Sequence, residues 1–178
     1  MINGSFGVGK TTVARLLRSA LVGSLIYDPE WLGVGLMRVG KWFRIPGWTT
    51  DDFQDIPLWR RSVCAGVRVF RTFAAGPVIV PMTFSSGEYF DEVLSGLRNQ
   101  GSHPRVFCLA ASLETIEKRL KKRKLNPRGQ EGIWIARRIR ECVEAHRDSR
   151  FGESVSTEHR TALDVANDIL MRLEPENR

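Results

Sequence analysis

Long apolar runs are absent from this 178-residue sequence, and none approaches the roughly 18 uninterrupted apolar residues of a membrane-spanning helix. The N-terminal residues also lack the pattern of a secretory signal peptide. Cysteine is scarce, and Cys64, Cys108 and Cys142 show neither metal-binding nor disulfide spacing. These absences argue against a membrane-spanning protein and a disulfide-rich secreted domain, so we expect a cytoplasmic protein with free, buried thiols.

Internal repeats and long linkers are missing too, and 178 residues that are 42% apolar fit a single domain over 1–178. Basic charge is unevenly placed. Residues 118–150 carry 12 Lys and Arg against 4 acids, whereas the remainder carries 15 against 16. An excess confined to one segment favours a lid that brings arginines to a triphosphate over a nucleic-acid surface. We therefore expect no nucleic-acid partner.

A phosphate-binding motif stands at the start of the chain. Its glycines, lysine and threonine match G-x-x-x-x-G-K-[ST], a loop whose backbone N–H groups surround phosphate oxygens. The motif predicts that Lys10 contacts the β- and γ-phosphates of ATP and that the Thr11 hydroxyl ligates Mg²⁺. Apolar residues at helical spacing follow, so a helix N-terminus would also face the phosphates. The expected nucleotide-binding residues are Gly4, Ser5, Phe6, Gly7, Val8, Gly9, Lys10, Thr11 and Thr12.

The strand that normally leads into such a loop has little room here. Only Met1, Ile2 and Asn3 precede Gly4. We expect either a very short first strand or a chain start upstream of Met1.

Asp28 follows a short apolar segment, residues 24–27, that we predict to be the second strand. In open α/β sheets, ligands bind at the carboxyl ends of the strands, beside the phosphate loop. Asp28 is therefore our candidate for the general base that prepares an acceptor hydroxyl. The alternative is that Asp28 only caps a turn before Pro29.

Residues 31–57 form the least regular part of the sequence, with Trp31, Trp42, Phe43, Trp48 and Phe53 among glycines. These aromatic residues indicate either a flexible wall around a substrate or a satellite hydrophobic cluster. Asp51, Asp52 and Asp55 could accept hydrogen bonds from substrate hydroxyls or start a helix.

Residues 78–82 form the clearest buried strand, but no acid follows it. The corresponding strand of P-loop enzymes usually ends in a carboxylate that helps to hold Mg²⁺. Here Pro81, Met82 and Thr83 occupy that place, so Asp28 would serve both the metal and the acceptor.

A lid is predicted at about residues 119–132. Residues 118–128 contain seven basic residues and no acid, and they run into a Pro/Gly segment. Arg119 and Arg123 are one helical turn apart, and Arg128 lies further along the loop. We expect these three arginines to be catalytic at the transferred phosphate. A solvated charge run is the alternative.

The remaining pattern alternates helices with strands, which predicts a single-domain P-loop NTPase fold with a doubly wound, five-stranded parallel sheet. A helix over 58–75 has its arginines outside the apolar stripe, on what we expect to be a largely solvated face. Two of them, Arg60 and Arg61, lie near the aromatic residues of 31–57 and could contact the substrate instead. Ser85 has capping-box spacing to Glu88 at the start of the next helix. His103 and His146 have no partners at catalytic spacing, and we interpret both as incidental.

Several short motifs together resemble one family across nearly the whole chain. They are Ile2-Asn-Gly-Ser-Phe-Gly-Val-Gly-Lys10, Tyr27-Asp-Pro-Glu30, Ile79-Val-Pro-Met-Thr83 and Glu88-Tyr-Phe90. The pattern resembles the bacterial tunicamycin-resistance ATP-binding proteins and, more distantly, small nucleoside, shikimate and chloramphenicol kinases. This resemblance implies an acid after the second strand, here Asp28, and lid arginines, here Arg119, Arg123 and Arg128.

The resemblance also implies a function: an ATP- and Mg²⁺-dependent phosphotransferase acting on a hydroxyl of a nucleoside-like small molecule, with tunicamycin as the candidate. Two alternatives stay open, namely a protein that sequesters the antibiotic without catalysis and a housekeeping nucleoside or metabolite kinase. Family members can carry a C-terminal extension thought to approach the membrane. This chain ends at Arg178 after one last helix, so we expect no stable membrane insertion; the sequence does not predict the oligomeric state.

Overall fold

The structure, a computed structural model, describes residues 1–48, 50–122 and 129–173. Helices and strands alternate along the chain. The strands are β1 (Ile2–Gly4), β2 (Leu25–Ile26), β3 (Val78–Ile79), β4 (Phe107–Ala110) and β5 (Glu153–Ser156). The helices are α1 (Lys10–Ala20), α2 (Glu30–Phe43), α3 (Pro57–Phe73), α4 (Gly87–Asn99), α5 (Leu113–Lys122), α6 (Gly129–Ala145) and α7 (Ala162–Leu173), with 3-10 turns at Phe53–Asp55 and Ser149–Phe151.

The strands form one parallel array in the order β2-β3-β1-β4-β5. β1, β4 and β5 make one ladder, and β2 and β3 make another. A bridge between Ile2 and Pro81 joins the two ladders. There the amide of Ile2 donates to the carbonyl of Val80 (2.9 Å), and the amide of Met82 donates to the carbonyl of Ile2 (3.0 Å). The short β1 therefore lies at the centre, and the expected five-stranded parallel sheet is confirmed.

Helices cover both faces of this sheet, and β1 and β4 are accordingly buried along almost their whole length. α1 packs against α7 on one face, over a core that includes Val13, Leu17 and Ile169. α3 packs against α4 on the other face, where Trp59 and Phe90 are fully buried. This doubly wound arrangement leaves the carboxyl ends of the strands open at one edge, where ligands bind in such folds.

Residues 31–57, the least regular part of the sequence, are helical over about half of their length. α2 occupies Glu30–Phe43, and glycines that lower helix propensity lie within it. Gly33 shows why they are there: a Cβ at this position would lie 2.6 Å from the Phe53 ring. Close packing of α2 on the aromatic residues thus outweighs the weak helix propensity.

Helix starts follow their sequence signals with one correction. Ser86, not Ser85, caps α4 by accepting a hydrogen bond from the amide of Tyr89. Thr161 and Asp164 cap α7 reciprocally. Within the described ranges, no helix combines the length and apolar character needed to cross a membrane.

The three cysteines are free thiols, as expected. Cys108 and Cys142 are buried, but Cys64 is only half-buried. Burial raises the pKa of the Cys108 thiol to about 12, and the nearby Cys142 adds to this shift. Burial likewise raises the pKa of Cys142 to about 11. Both thiols are therefore neutral and unreactive under ordinary conditions.

Candidate active site

The loop between β1 and α1 has the backbone shape that its glycines predict. Gly4 adopts φ 152°, and a Cβ there would lie 2.8 Å from Cγ1 of Val8. Gly9 adopts φ 116° immediately before α1. The first N–H groups of α1 have no partners within the helix, so they and the loop form a positive cradle at the carboxyl edge of the sheet.

Asn3 fixes the position of this loop. Its side chain is fully buried, and its Oδ1 accepts hydrogen bonds from the amides of Gly4 and Phe84, each at 2.9 Å. Its Nδ2 donates to the carbonyl of Phe151. One amide side chain therefore joins the loop to the segment after β3 and to the turn before β5.

Lys10 is nearly buried beneath the loop. Its Nζ donates to the carbonyls of Gly4 (2.9 Å) and Ser5 (3.1 Å) and to Oγ1 of Thr83 (2.8 Å). The ammonium also lies 5.7 Å from the ring centroid of Phe6. Lys10 is thus held at the position from which it can neutralise phosphate charge.

Thr83 is a site residue that the sequence did not identify as such. It is 1% exposed and follows β3, at the place where a carboxylate is common. Sequence reasoning noted the missing acid but assigned no contact to the threonine. The signal was available, since residues after the strand beside β1 must face the phosphate loop.

Thr11 lies exposed in the first turn of α1. Its position, next to Lys10 and the cradle, fits a hydroxyl ligand for Mg²⁺ held together with phosphate oxygens. Among the described residues, no cluster of three His, Cys, Asp or Glu side chains could hold a metal ion. Metal ligation by Thr11, with Asp28 also serving the metal, stays a prediction.

Asp28 follows β2 and lies half-buried on the side of the site near Lys10. Its Oδ1 accepts a hydrogen bond from the amide of Glu30 (3.0 Å), so it does cap the turn. Burial raises the pKa of Asp28, and the Glu30 carboxylate raises it further, while that hydrogen bond and Lys10 oppose the shift. The raised pKa means that the Asp28 carboxylate binds a proton more strongly. Because the turn uses Oδ1, Oδ2 can still accept a proton, so capping the turn and a catalytic role are compatible.

Arg119 contacts the outer side of the loop. Its guanidinium donates to the carbonyl of Val8 (3.1 Å), to Oγ1 of Thr157 (2.9 Å) and to the carbonyl of Thr157 (2.6 Å). A cavity of about 160 Å³ adjoins these groups, and α1, α5, the segment after β5 and α7 line it. Arg123 and Arg128 lie outside the described residues. Of the three expected arginines, the structure therefore places Arg119 alone, beside the loop backbone.

α6 closes the other side of the site through two contacts. Trp134 packs edge-on against Phe6 of the loop, with ring centroids 6.3 Å apart. Arg138, a residue that sequence reasoning missed, donates to Oγ of Ser85 (2.9 Å) and pairs with Asp52 (2.5 Å). The arginine therefore ties α6 to the segment after β3 and to the 3-10 turn.

Arg60 is buried, so the expected solvated face is wrong for this residue. Its Nε lies 2.5 Å from Glu92, its Nη1 donates to the carbonyl of Gln54, and its guanidinium stacks 4.2 Å from the Tyr89 ring centroid. The position after fully buried Trp59 explains this, because α3 turns the next residue toward α4.

The aromatic residues of 31–57 divide into two groups. Phe53 joins a main hydrophobic core cluster against Trp59, with ring centroids 4.7 Å apart, and the partly buried Trp48 packs against the same cluster. Trp31, Trp42 and Phe43 are 81%, 83% and 69% exposed on α2. The substrate wall proposed for this segment therefore stays a prediction.

His146 is not incidental. Its buried Nε2 lies 2.6 Å from the carbonyl of Phe84, beside Thr83. Burial lowers the pKa of His146, and Lys10 lowers it too, against the contact with Phe84. The neutral imidazole ring therefore stabilises the segment after β3 through this contact. His103 is exposed, as an incidental residue would be.

Comparison with known proteins agrees with this geometry. The model of a protein family described as "AAA domain" matches residues 1–133. No curated protein sequence matches significantly. The tunicamycin resistance protein of Deinococcus radiodurans is similar in structure, with a TM-score of 0.75 and 27% identity over 97% of this chain and 93% of that one.

Two kinases share the fold at lower identity. The gluconokinase of Sinorhizobium meliloti 1021 has a TM-score of 0.65 and 18% identity, covering 97% of this chain and 90% of that one. The shikimate kinase of Acinetobacter baumannii has a TM-score of 0.60 and 16% identity, with the same two coverages. The expected resemblance to tunicamycin-resistance proteins and the P-loop NTPase fold are confirmed.

Proposed function

Because this chain belongs to the AAA-domain family and has a P-loop kinase-like fold, we propose that it transfers the γ-phosphate of ATP to a hydroxyl of a nucleoside-like small molecule. Tunicamycin is the candidate acceptor, since a structurally similar protein is named for resistance to it. The observation that carries the proposal is that Lys10 of the phosphate loop and Asp28, which follows β2, both lie at the carboxyl edge of the parallel sheet, with Lys10 near enough to act on the Asp28 carboxylate.

The nucleotide would be held from its two ends. The loop N–H groups, Lys10 and Thr11 would bind the phosphates and Mg²⁺. The cavity beside Arg119 would take the base, because it adjoins the loop and has an apolar side formed by Val13 and Val165. Bound Mg²⁺ would supply charge neutralisation between the phosphates.

The residues of this chain would contribute positioning and charge. Lys10 would release its contacts with loop carbonyls and turn its ammonium to the phosphate oxygens as negative charge moves in transfer. Asp28 Oδ2 would accept the proton of the acceptor hydroxyl while Oδ1 keeps the turn in place. Phe6 and Trp134 would exclude water above the cradle. Arg123 and Arg128 stay our candidates for lid arginines.

Mass spectrometry of a nucleoside and antibiotic panel incubated with Mg-ATP tests the proposal. We expect one compound to gain a single phosphate, with Lys10→Ala and Asp28→Asn abolishing the product. A complete lack of phosphorylated product would contradict transfer. Undiminished product in Asp28→Asn would contradict the role of the aspartate.

One observation favours a second function, ATP-regulated binding of the antibiotic without catalysis. Thr83, not a carboxylate, meets Lys10 after β3, so the chain lacks the usual acidic residue on the metal side. A sequestering protein would bind tunicamycin stoichiometrically and leave ATP consumption unchanged when the antibiotic is added. A housekeeping kinase would instead prefer an ordinary nucleoside or metabolite by a large factor.

A further inference from the structure

The acceptor side of the site contains two buried arginines that are already neutralised. Arg60 and Arg138 have side chains only 10% and 12% exposed. Arg60 pairs with Glu92 at 2.5 Å, and Arg138 pairs with Asp52 at 2.5 Å and with Glu141 at 2.7 Å. Each guanidinium is therefore committed to carboxylates of the protein itself.

A chain of contacts connects both arginines to the segments that follow β2 and β3. Trp59 donates from Nε1 to the carbonyl of Pro29, next to Asp28, and Arg60 follows Trp59 on α3. On the opposite side, Arg138 bonds Ser85, two residues beyond the Thr83 that meets Lys10. Both arginines are thus joined to the segments that carry Asp28 and Thr83, which end β2 and β3 at the same edge of the sheet.

The unused polar atoms of this region are mostly acceptors. Among the residues that the structure describes, the buried side-chain atoms without a hydrogen-bond partner are Ser5 Oγ, Glu30 Oε1, Gln54 Oε1 and Arg138 Nε. Gln54 is 3% exposed, and its Nε2 points to Asp52, which leaves Oε1 for another donor. Buried acceptors without donors are costly, so a ligand that supplies hydroxyl or N–H groups is favoured.

The charges point the same way. Five carboxylates stand against the two guanidinium groups: Asp28, Glu30, Asp52, Glu92 and Glu141. A carboxylate on the ligand would gain no free guanidinium fork and would meet these negative charges. Gluconate and shikimate, which the two similar kinases are named for, are both carboxylates.

We infer that the Arg60–Glu92 and Arg138–Asp52 pairs are specificity determinants that make the acceptor a donor-rich, uncharged polyhydroxyl compound and reject acids of the same shape. This inference rests on the proposed transfer to a hydroxyl. Removal of the Glu92 charge frees the Arg60 guanidinium, and removal of the Asp52 charge leaves Arg138 paired with Glu141 alone. Either change lowers the negative charge that an acid would meet and opens the site to acids.

The test uses two matched pairs that keep all hydroxyls and the same shape but differ in charge, gluconamide with gluconate and uridine-5-carboxamide with 5-carboxyuridine. Calorimetry with Mg²⁺ and a non-hydrolysable ATP analogue gives the dissociation constants for the wild type, Glu92→Gln and Asp52→Asn. Glu153→Gln is the matched control, because Glu153 pairs with Arg105 at 2.9 Å before β4, at the opposite edge of the sheet. Retained ATP-analogue affinity verifies that each variant is folded.

We expect the wild type to bind a neutral compound at least about tenfold more tightly than its acid. Glu92→Gln or Asp52→Asn should reduce that ratio by about tenfold, and Glu153→Gln should leave it unchanged. Equal or tighter binding of the acids by the wild type overturns the inference. An unchanged ratio of dissociation constants in both site variants also overturns it, and so does the loss of all probe binding in both site variants.

Product analysis with ATP separates this inference from the proposed function. If the expected ratio of dissociation constants is measured but no phosphorylated product forms, the specificity is supported and the proposed transfer is contradicted. Product formed from acids as readily as from their neutral partners supports transfer and overturns the specificity.

Discussion

Lys10 Nζ lies 2.8 Å from Oγ1 of Thr83, so a neutral hydroxyl accepts from the loop lysine where P-loop enzymes commonly have a carboxylate. A hydroxyl fixes the ammonium without neutralising it. The full positive charge of Lys10 is therefore available to the phosphates.

The first prediction concerns this contact. Thr83→Val keeps the shape of the side chain but removes the acceptor, so Lys10 loses one of its three contacts. We expect kcat of the proposed transfer to fall by about tenfold, equivalent to about 1.4 kcal/mol, and Thr83→Ser to retain most activity. Steady-state kinetics provide the measurement; equal rates for Val and Ser would show that the hydroxyl is dispensable.

Lys10 itself should matter far more. Lys10→Ala removes the cation that faces the developing charge, and we expect a loss of roughly 10²-fold or more in kcat. Arg18→Ala is the control, since Arg18 is an exposed cation in the last turn of the same helix. Parallel losses in both variants would point to general instability of α1.

Asp28 should show opposite effects on activity and stability. Its folded-state pKa is raised above the ordinary value of 3.8, so the folded state holds the proton more strongly than the unfolded chain. Stability from this group is therefore present below the unfolded pKa and falls as pH rises through the folded one. Asn keeps the Oδ1 acceptor of the turn and removes the charge.

We thus expect Asp28→Asn to raise the melting temperature slightly at neutral pH while it abolishes transfer. In the wild type, kcat should rise with pH as Asp28 loses its proton. Calorimetric melting and a pH–rate profile test the two effects. If Asp28→Asn were less stable but retained its rate, Asp28 would have no catalytic role and would only cap the turn.

Arg119 should act on nucleotide affinity. Its contacts with Val8 and Thr157 hold the wall of the adjoining cavity, so Arg119→Ala should raise KM for ATP roughly tenfold and change kcat much less. Lys cannot make the three guanidinium contacts, so Arg119→Lys should not restore affinity. A fall in kcat at constant KM would instead put Arg119 at the transferred phosphate.

His146 should make the fold sensitive to acid. Its pKa is lowered below 6.5, so the unfolded chain takes up its proton first and the stability of the folded protein falls as pH drops through that value. Urea unfolding from pH 8 to 5 should show a smaller loss for His146→Gln than for the wild type. His103→Gln, at an exposed position, should follow the wild type.

The sequence predicted the doubly wound parallel sheet, the phosphate loop and the position of Asp28 after β2. Each of these rests on local spacing and on the alternation of helices and strands. It could not predict α2, since the glycines that lower helix propensity are there for contacts with Phe53, which is distant in sequence. It also missed Arg138, because its partners Asp52 and Ser85 come from segments joined only by folding. At Thr83 the sequence showed only that the usual acid is missing. The contact with Lys10 shows that the threonine hydroxyl takes the place of the carboxylate.

Asn3 has a consequence for any attempt to redesign this protein. Its one side chain fixes the positions of the nucleotide loop, the segment after β3 and the turn before β5 relative to one another. A loop grafted to accept another ligand cannot be exchanged by itself, because a shift at any of the three is transmitted through this amide to the other two. The workable unit of exchange is the whole set of three segments together with Asn3.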